Sequence, residues 1–125
     1  MTKGNTLSDE QGRLFREAWI AGVTKHYPGE PKAGYVVPWE ETPEWERQAA
    51  TAVYGQVREF VAVSGGSVAK LSRTQKGRFV SLCWIAQIYK HFDDPKASYV
   101  ADWDDQPEWQ QETNADIFQR IEEQS

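Results

Sequence analysis

The sequence predicts a mostly α chain: four main helices, arranged as two αα-units related by a pseudo-two-fold, with long aromatic loops that have room for a short strand. Three observations predict it. Apolar residues recur with helical period in four separate segments. Pro and Gly clusters interrupt those segments, where a helix cannot continue cheaply. The chain also aligns with itself at a period of about 65 residues. Gly12-Arg13 matches Gly77-Arg78, Trp19-Ile20-Ala21 matches Trp84-Ile85-Ala86, and Lys25-His26 matches Lys90-His91. After a one-residue gap, Pro31-Lys32-Ala33 matches Pro95-Lys96-Ala97 and Tyr35-Val36 matches Tyr99-Val100. Trp39 then falls on Trp103, and Pro43-Glu44-Trp45 on Pro107-Glu108-Trp109. Two copies are too few for a solenoid, so each half is expected to cover the other's apolar face. Residues 1–125 therefore read as one domain from an internal duplication, with repeats at 8–63 and 67–125.

In the first repeat, Ser8 with Gln11 reads as a capping box. Leu14, Phe15, Ala18, Trp19, Gly22, Val23 and His26 follow at helical spacing, giving a helix from about Asp9 to His26. Tyr27-Pro28-Gly29-Glu30-Pro31 ends it. Thr42 as N-cap and Pro43 at the first helical position start the second helix, whose stripe is Trp45, Ala49, Ala52, Val53, Val57 and Phe60. Ser64-Gly65-Gly66-Ser67 is a short joint between the repeats. Ser72 with Gln75 is again a capping box, and Phe79, Val80, Cys83, Trp84, Ile88 and His91 form the third stripe. Pro107 opens the fourth helix, buried through Trp109, Ile117 and Ile121. The loops at 28–41 and 93–105 are longer than usual helix connections, with short-strand candidates at 35–37 and 99–101, and function is expected to concentrate there.

Composition narrows the function classes. At 125 residues the chain is long enough for one real core. Its net charge of −5, with no long basic run, argues against nucleic acid as a partner. No apolar stretch is long enough to span a membrane, and Met1–Asn5 carries no signal-peptide core, so a cytoplasmic protein is expected. Cys83 is the only cysteine, which excludes an intramolecular disulfide; on the apolar stripe it reads as an inert small hydrophobe. There are 6 Trp, and a residue with a large apolar body and one N–H to satisfy favours half-wet pockets and interfaces.

The repeated pattern resembles the ryanodine-receptor repeat (RyR) domain, in its short tandem form found in bacteria and phages. The likeness rests on an aromatic and a basic residue on a first helix, a Pro-containing loop, and Trp39-Glu40-Glu41-Thr42-Pro43-Glu44-Trp45 with its counterpart Trp103–Trp109. It covers nearly the whole chain, and its specificity comes from the tandem occurrence. Arg47 of the first copy becomes Gln111 in the second, a departure within the second helix of each unit. The resemblance implies a small non-enzymatic α-rich module that recognises a ligand or partner, with bacterial members suspected of sensing nucleotide-derived signals in antiviral defence.

Candidate sites follow from the residues. Trp39 and Trp103 stand outside the helical stripes, each with a tyrosine four residues earlier, Tyr35 and Tyr99. Each pair reads either as a plug over its own helix hairpin or as a stacking wall for a planar ligand such as a nucleobase. Lys70, Arg73, Lys76 and Arg78 gather where the third helix begins, either as a solvated run or as an anion contact, with Arg13 and Arg16 as a matching set on the first helix. His26 and His91 sit at helix C-termini, where a cation complements the dipole; neither has a metal-ligand spacing beside it, so no metal and no cofactor is expected. The acidic runs before the second and fourth helices are explained by helix dipoles. With no phosphate-binding Gly loop and no nucleophile setting, the chain is not expected to be an enzyme. The leading expectation is a small anionic, nucleotide-derived ligand held by Tyr35, Trp39, Tyr99, Trp103, Arg13, Arg16, Arg73 and Arg78. The alternative is a protein-interaction or assembly module using the aromatic loops, with an oligomer left open.

Overall fold

The computed structural model describes residues 7–124, and its chain is mostly α, with four main helices. They are α1 (Leu7–His26), α2 (Glu44–Val63), α3 (Arg73–His91) and α4 (Glu108–Gln124). α1 already includes Leu7, ahead of the Ser8 cap expected from sequence; that residue's side chain lies outside the described part. The cap expected at Thr42 is not made. Its hydroxyl turns back and donates to the Pro38 carbonyl at 2.9 Å, and the Pro43 carbonyl accepts from the Glu46 and Arg47 amides to start α2. The Ser72–Gln75 box is present in both directions, at 3.1 Å and 2.8 Å.

Neither long loop holds a strand. Each folds instead into two 3₁₀ turns, Ala33–Val36 and Trp39–Glu41 in the first and Ala97–Val100 and Trp103–Asp105 in the second. The physical reason is the absence of a neighbouring edge: an isolated extended tripeptide has no ladder partner, whereas a 3₁₀ turn pairs its own backbone, as Tyr35 N–H does with the Lys32 carbonyl and Tyr99 N–H with that of Lys96, both at 2.9 Å. Gly65 and Gly66 join the halves with φ of 61° and 93°, a left-handed pair that residues with a Cβ rarely adopt.

Matched residues do matched work. Gly12 lets the Trp39 ring lie against α1, and Gly77 lets the Trp103 ring lie against α3; a Cβ on either glycine would come within 2.6 Å or 2.7 Å of the ring's Cη2. Arg13 binds Glu40 at 2.6 Å and Arg78 binds Asp104 at 3.4 Å, each tying a first helix to its own loop. The helix-opening tryptophans cross over. Trp45 of α2 packs on Trp84 and Phe92 of the other half, at 6.3 Å and 4.8 Å between centroids, and Trp109 of α4 packs on Trp19 and Tyr27, at 5.9 Å and 5.0 Å. Beneath these, Val53 and Val57 of α2 and Ile117, Phe118 and Ile121 of α4 are buried with Phe15 and Val80. Among the described residues no helix is long and apolar enough to cross a membrane.

Candidate functional site

A cavity of about 600 Å³ opens between the two halves, on the side where both loops lie. Its walls are aromatic and come from all four helices and both loops: Trp19, Tyr27, Tyr35 and Trp109 on one side, Trp45 and Trp84 on the other, with Tyr99 at the rim. Of the six tryptophans Trp39 is buried and the other five are half-buried, and four of those five, Trp19, Trp45, Trp84 and Trp109, line the cavity. The Trp19 indole N–H is satisfied by the Tyr35 carbonyl at 2.9 Å, which fixes the ring against its loop. Tyr27, Tyr35 and Trp109 lie 5.0–5.9 Å apart between centroids, close enough to hold one another in place.

The polar part of the wall differs between the halves. At the first-half end, Arg16 is 4% exposed and spreads its guanidinium over three acceptors. Nε donates to the Val37 carbonyl (2.9 Å), Nη2 to the Gly34 carbonyl (3.2 Å) and Nη1 to Glu46 (3.2 Å). Burial lowers the pKa of Arg16 and raises that of Glu46, in each case against the opposing pull of the partner's charge. Removing one member of such a buried pair is costly, because it leaves the other charge uncompensated. In the second half Ser81 stands where Arg16 does, and Gln106 takes over the loop: its Nε2 donates to the Ser81 hydroxyl and to the Ala101 carbonyl at 3.1 Å. Ala101 is the counterpart of Val37, so the same carbonyl is held by two different side chains.

Of the residues expected from sequence, Arg16, Tyr35, Trp39 and Tyr99 line this cavity. Trp39 does so while buried as a plug, its ring against α1 and the Arg47 guanidinium 6.0 Å from its centroid. Trp103, Arg13, Arg73 and Arg78 lie elsewhere. Trp103 seats on Gly77, and Arg13 and Arg78 pair with their loops as described. Of the cations at the start of α3, Lys70 and Arg78 are exposed, whereas Arg73 and Lys76 meet carboxylates of α4. Arg73 binds Glu112 at 2.8 Å and Asp116 at 2.6 Å, and the largely buried Lys76 binds Glu122 at 2.9 Å. His26 also reaches Asp116 at 2.8 Å, whereas His91, whose counterpart of Asp116 is Ala52, has a buried Nε2 with no partner.

Burial pushes the Asp116 carboxyl up, but hydrogen bonds from Arg73 and His26 outweigh it and leave the pKa below the usual value. A depressed carboxylate contributes stability above its unfolded pKa and loses it as pH falls through the folded one. Asp116→Asn is therefore expected to cost about 1 kcal/mol at neutral pH, with the difference from wild type vanishing below the ordinary aspartate range. Urea titrations across pH check this; a pH-independent difference would contradict it.

Sequence reasoning missed Trp19, Trp45, Trp84 and Trp109 as site residues because helical periodicity assigns them to the apolar stripe. The available signal was the Trp in the first turn of α2 and α4, a wet position for so large a ring. Burial pushes the Cys83 thiol up to about 11, which keeps it an unreactive thiol. Among the described residues no group of three or more His, Cys, Asp or Glu side chains is placed to hold a metal ion. Comparison with known proteins finds no matching family model, no matching curated protein and no matching solved structure.

Proposed function

We propose that this chain is a non-catalytic recognition domain that takes a small, planar, anionic ligand, nucleotide-derived, into the aromatic cavity between its halves. The observation that carries the reading is the cavity itself: about 600 Å³, walled by half-buried indoles and phenols from both repeats, with one guanidinium in its wall. That volume falls within the roughly 300–1,000 Å³ of small-molecule sites. Aromatic faces suit a nucleobase of any sequence identity, since every base has a π-face. Lys32 lies at the same opening, its Nζ 5.8 Å from the Tyr35 ring centroid, and adds a second cation for a phosphate. An arriving anion competes with Glu46 for Arg16, and Glu46 is already drawn towards its neutral form by burial. The resemblance to the RyR domain is in keeping with this role and extends it to bacterial antiviral signalling or to phage counter-defence.

Calorimetry with ADP-ribose, ATP and cyclic dinucleotides is expected to show binding of at least one. Tyr99→Ala removes a rim ring that is 47% exposed, sparing the core, and is expected to weaken that binding roughly tenfold. No heat with any of the three ligands overturns the proposal.

A second reading, a protein-interaction or assembly module, is favoured by Leu82 and Tyr89, which are 61% and 58% exposed and lie two turns apart on α3. It predicts a stoichiometric partner whose capture is lost in Leu82→Glu and Tyr89→Glu while the small-ligand titrations stay empty.

A further inference from the structure

Although the cavity is built from matched halves, its two ends are chemically unlike. Position by position, Arg16 faces its counterpart Ser81, Glu46 its counterpart Gln110, and Ala50 its counterpart Asn114, and all six line the cavity. One end thus carries the Arg16–Glu46 ion pair, whereas the other is amide-rich, with Asp105 as its charged residue. Lys32 belongs to the ionic half.

Asn114 is the most telling of these residues. It is only 6% exposed, beside buried Thr113 on a helix whose other buried residues are apolar, and its side-chain amide makes no hydrogen bond among the described residues. Its amide atoms are not sealed from water, and a ligand entering the cavity can replace that water on them. Gln106, on the same wall, adds a second free acceptor: its Nε2 donates to Ser81 and Ala101, but its Oε1 is buried with no partner. Asn114 therefore presents a donor and an acceptor side by side on the wall of an aromatic cavity. The edge of a nucleobase offers the complementary pair, and the bidentate amide–base contact is a familiar one. The corresponding position at the other end is Ala50, which can offer no such contact.

We propose, resting on the reading above, that the cavity binds a nucleotide in one orientation only: base edge on Asn114, sugar and phosphate towards Arg16 and Lys32. The duplicated site is then a single polar receptor, not two equivalent half-sites, and it takes one ligand per chain.

The test is calorimetry with AMP, adenosine and ADP-ribose on wild type, Asn114→Ala and Lys32→Ala. Asn114→Ala installs the residue that the matched position already carries, so the helix tolerates it, and circular dichroism checks that it has folded. Expected are a stoichiometry of one and a loss of at least tenfold for all three ligands in Asn114→Ala. Lys32→Ala is expected to weaken AMP and ADP-ribose several-fold and to leave adenosine unchanged. Unaltered affinities in folded Asn114→Ala, or a loss there confined to the phosphorylated ligands, overturn the orientation while the proposed function stands. A stoichiometry of two overturns the single receptor. No heat with any ligand overturns both this inference and the reading it rests on.

Discussion

Phe118→Ala is expected to lower the unfolding free energy by about 3–5 kcal/mol, the largest effect of any single truncation in the core. The ring is fully buried and touches both halves. Phe60 of α2 and Phe79 of α3 stack on each other at 4.6 Å and both meet the Phe118 ring edge-on, at 6.3 Å and 6.1 Å. The Lys76 ammonium lies 5.8 Å from the centroid of the same ring. Truncation removes the transfer free energy of the ring and leaves a hole that three helices would have to close together. Small domains are stable by only about 5–15 kcal/mol, so the loss is a large fraction of the whole. A fall in Tm of roughly 10–20 °C is expected. A shift of one or two degrees would mean that the three-ring cluster is not the keystone described here.

The second large effect is at Arg16. Arg16→Ser is expected to cost about 3 kcal/mol, because Glu46 loses its counter-charge in a half-buried site and the Val37 and Gly34 carbonyls lose their donor. The sign of the pH dependence follows from Glu46. Its folded pKa is raised by burial, so its contribution is favourable below the unfolded carboxylate value and turns unfavourable as pH rises through the folded one. Without Arg16 that effect grows, and the deficit of the variant narrows as pH falls. The second half shows how the same place is built without an arginine: Ser81, Gln106 and Gln110. The triple variant Arg16→Ser/Thr42→Gln/Glu46→Gln transplants that solution into the first half and is expected to recover at least half of the lost stability. Denaturant melts decide it, and a triple variant no more stable than the single one would refute the equivalence.

The helices were legible because their signals are local. Stripes of helical period, prolines after Thr42 and Gln106, and the Ser72–Gln75 box all act within a few residues. The repeat supplied the long-range part, since matched residues imply matched contacts. What could not be read was the identity of partners across the molecule. Arg73 and Lys76 look like open cations until Glu112, Asp116 and Glu122 of α4 are seen opposite them. Helical periodicity shows that Trp84 faces inward, but not that the space before it is unfilled. Trp39 reads from sequence as either a plug or a stacking wall, and only the structure shows Gly12 as the seat of its ring. Of the eight residues named from sequence, Arg16, Tyr35, Trp39 and Tyr99 line the cavity between the halves, and the other four lie outside its lining.

The crossing of Trp45 and Trp109 has a consequence for whether either half could stand alone. Either repeat, severed from its sibling, would leave one large indole without its bed and one bed without its indole. A lone copy could satisfy both needs only by clasping a second polypeptide, reciprocally. Within one chain that embrace is intramolecular, so neither side has to mirror the other, and arginine can stand at one pole with serine at its opposite.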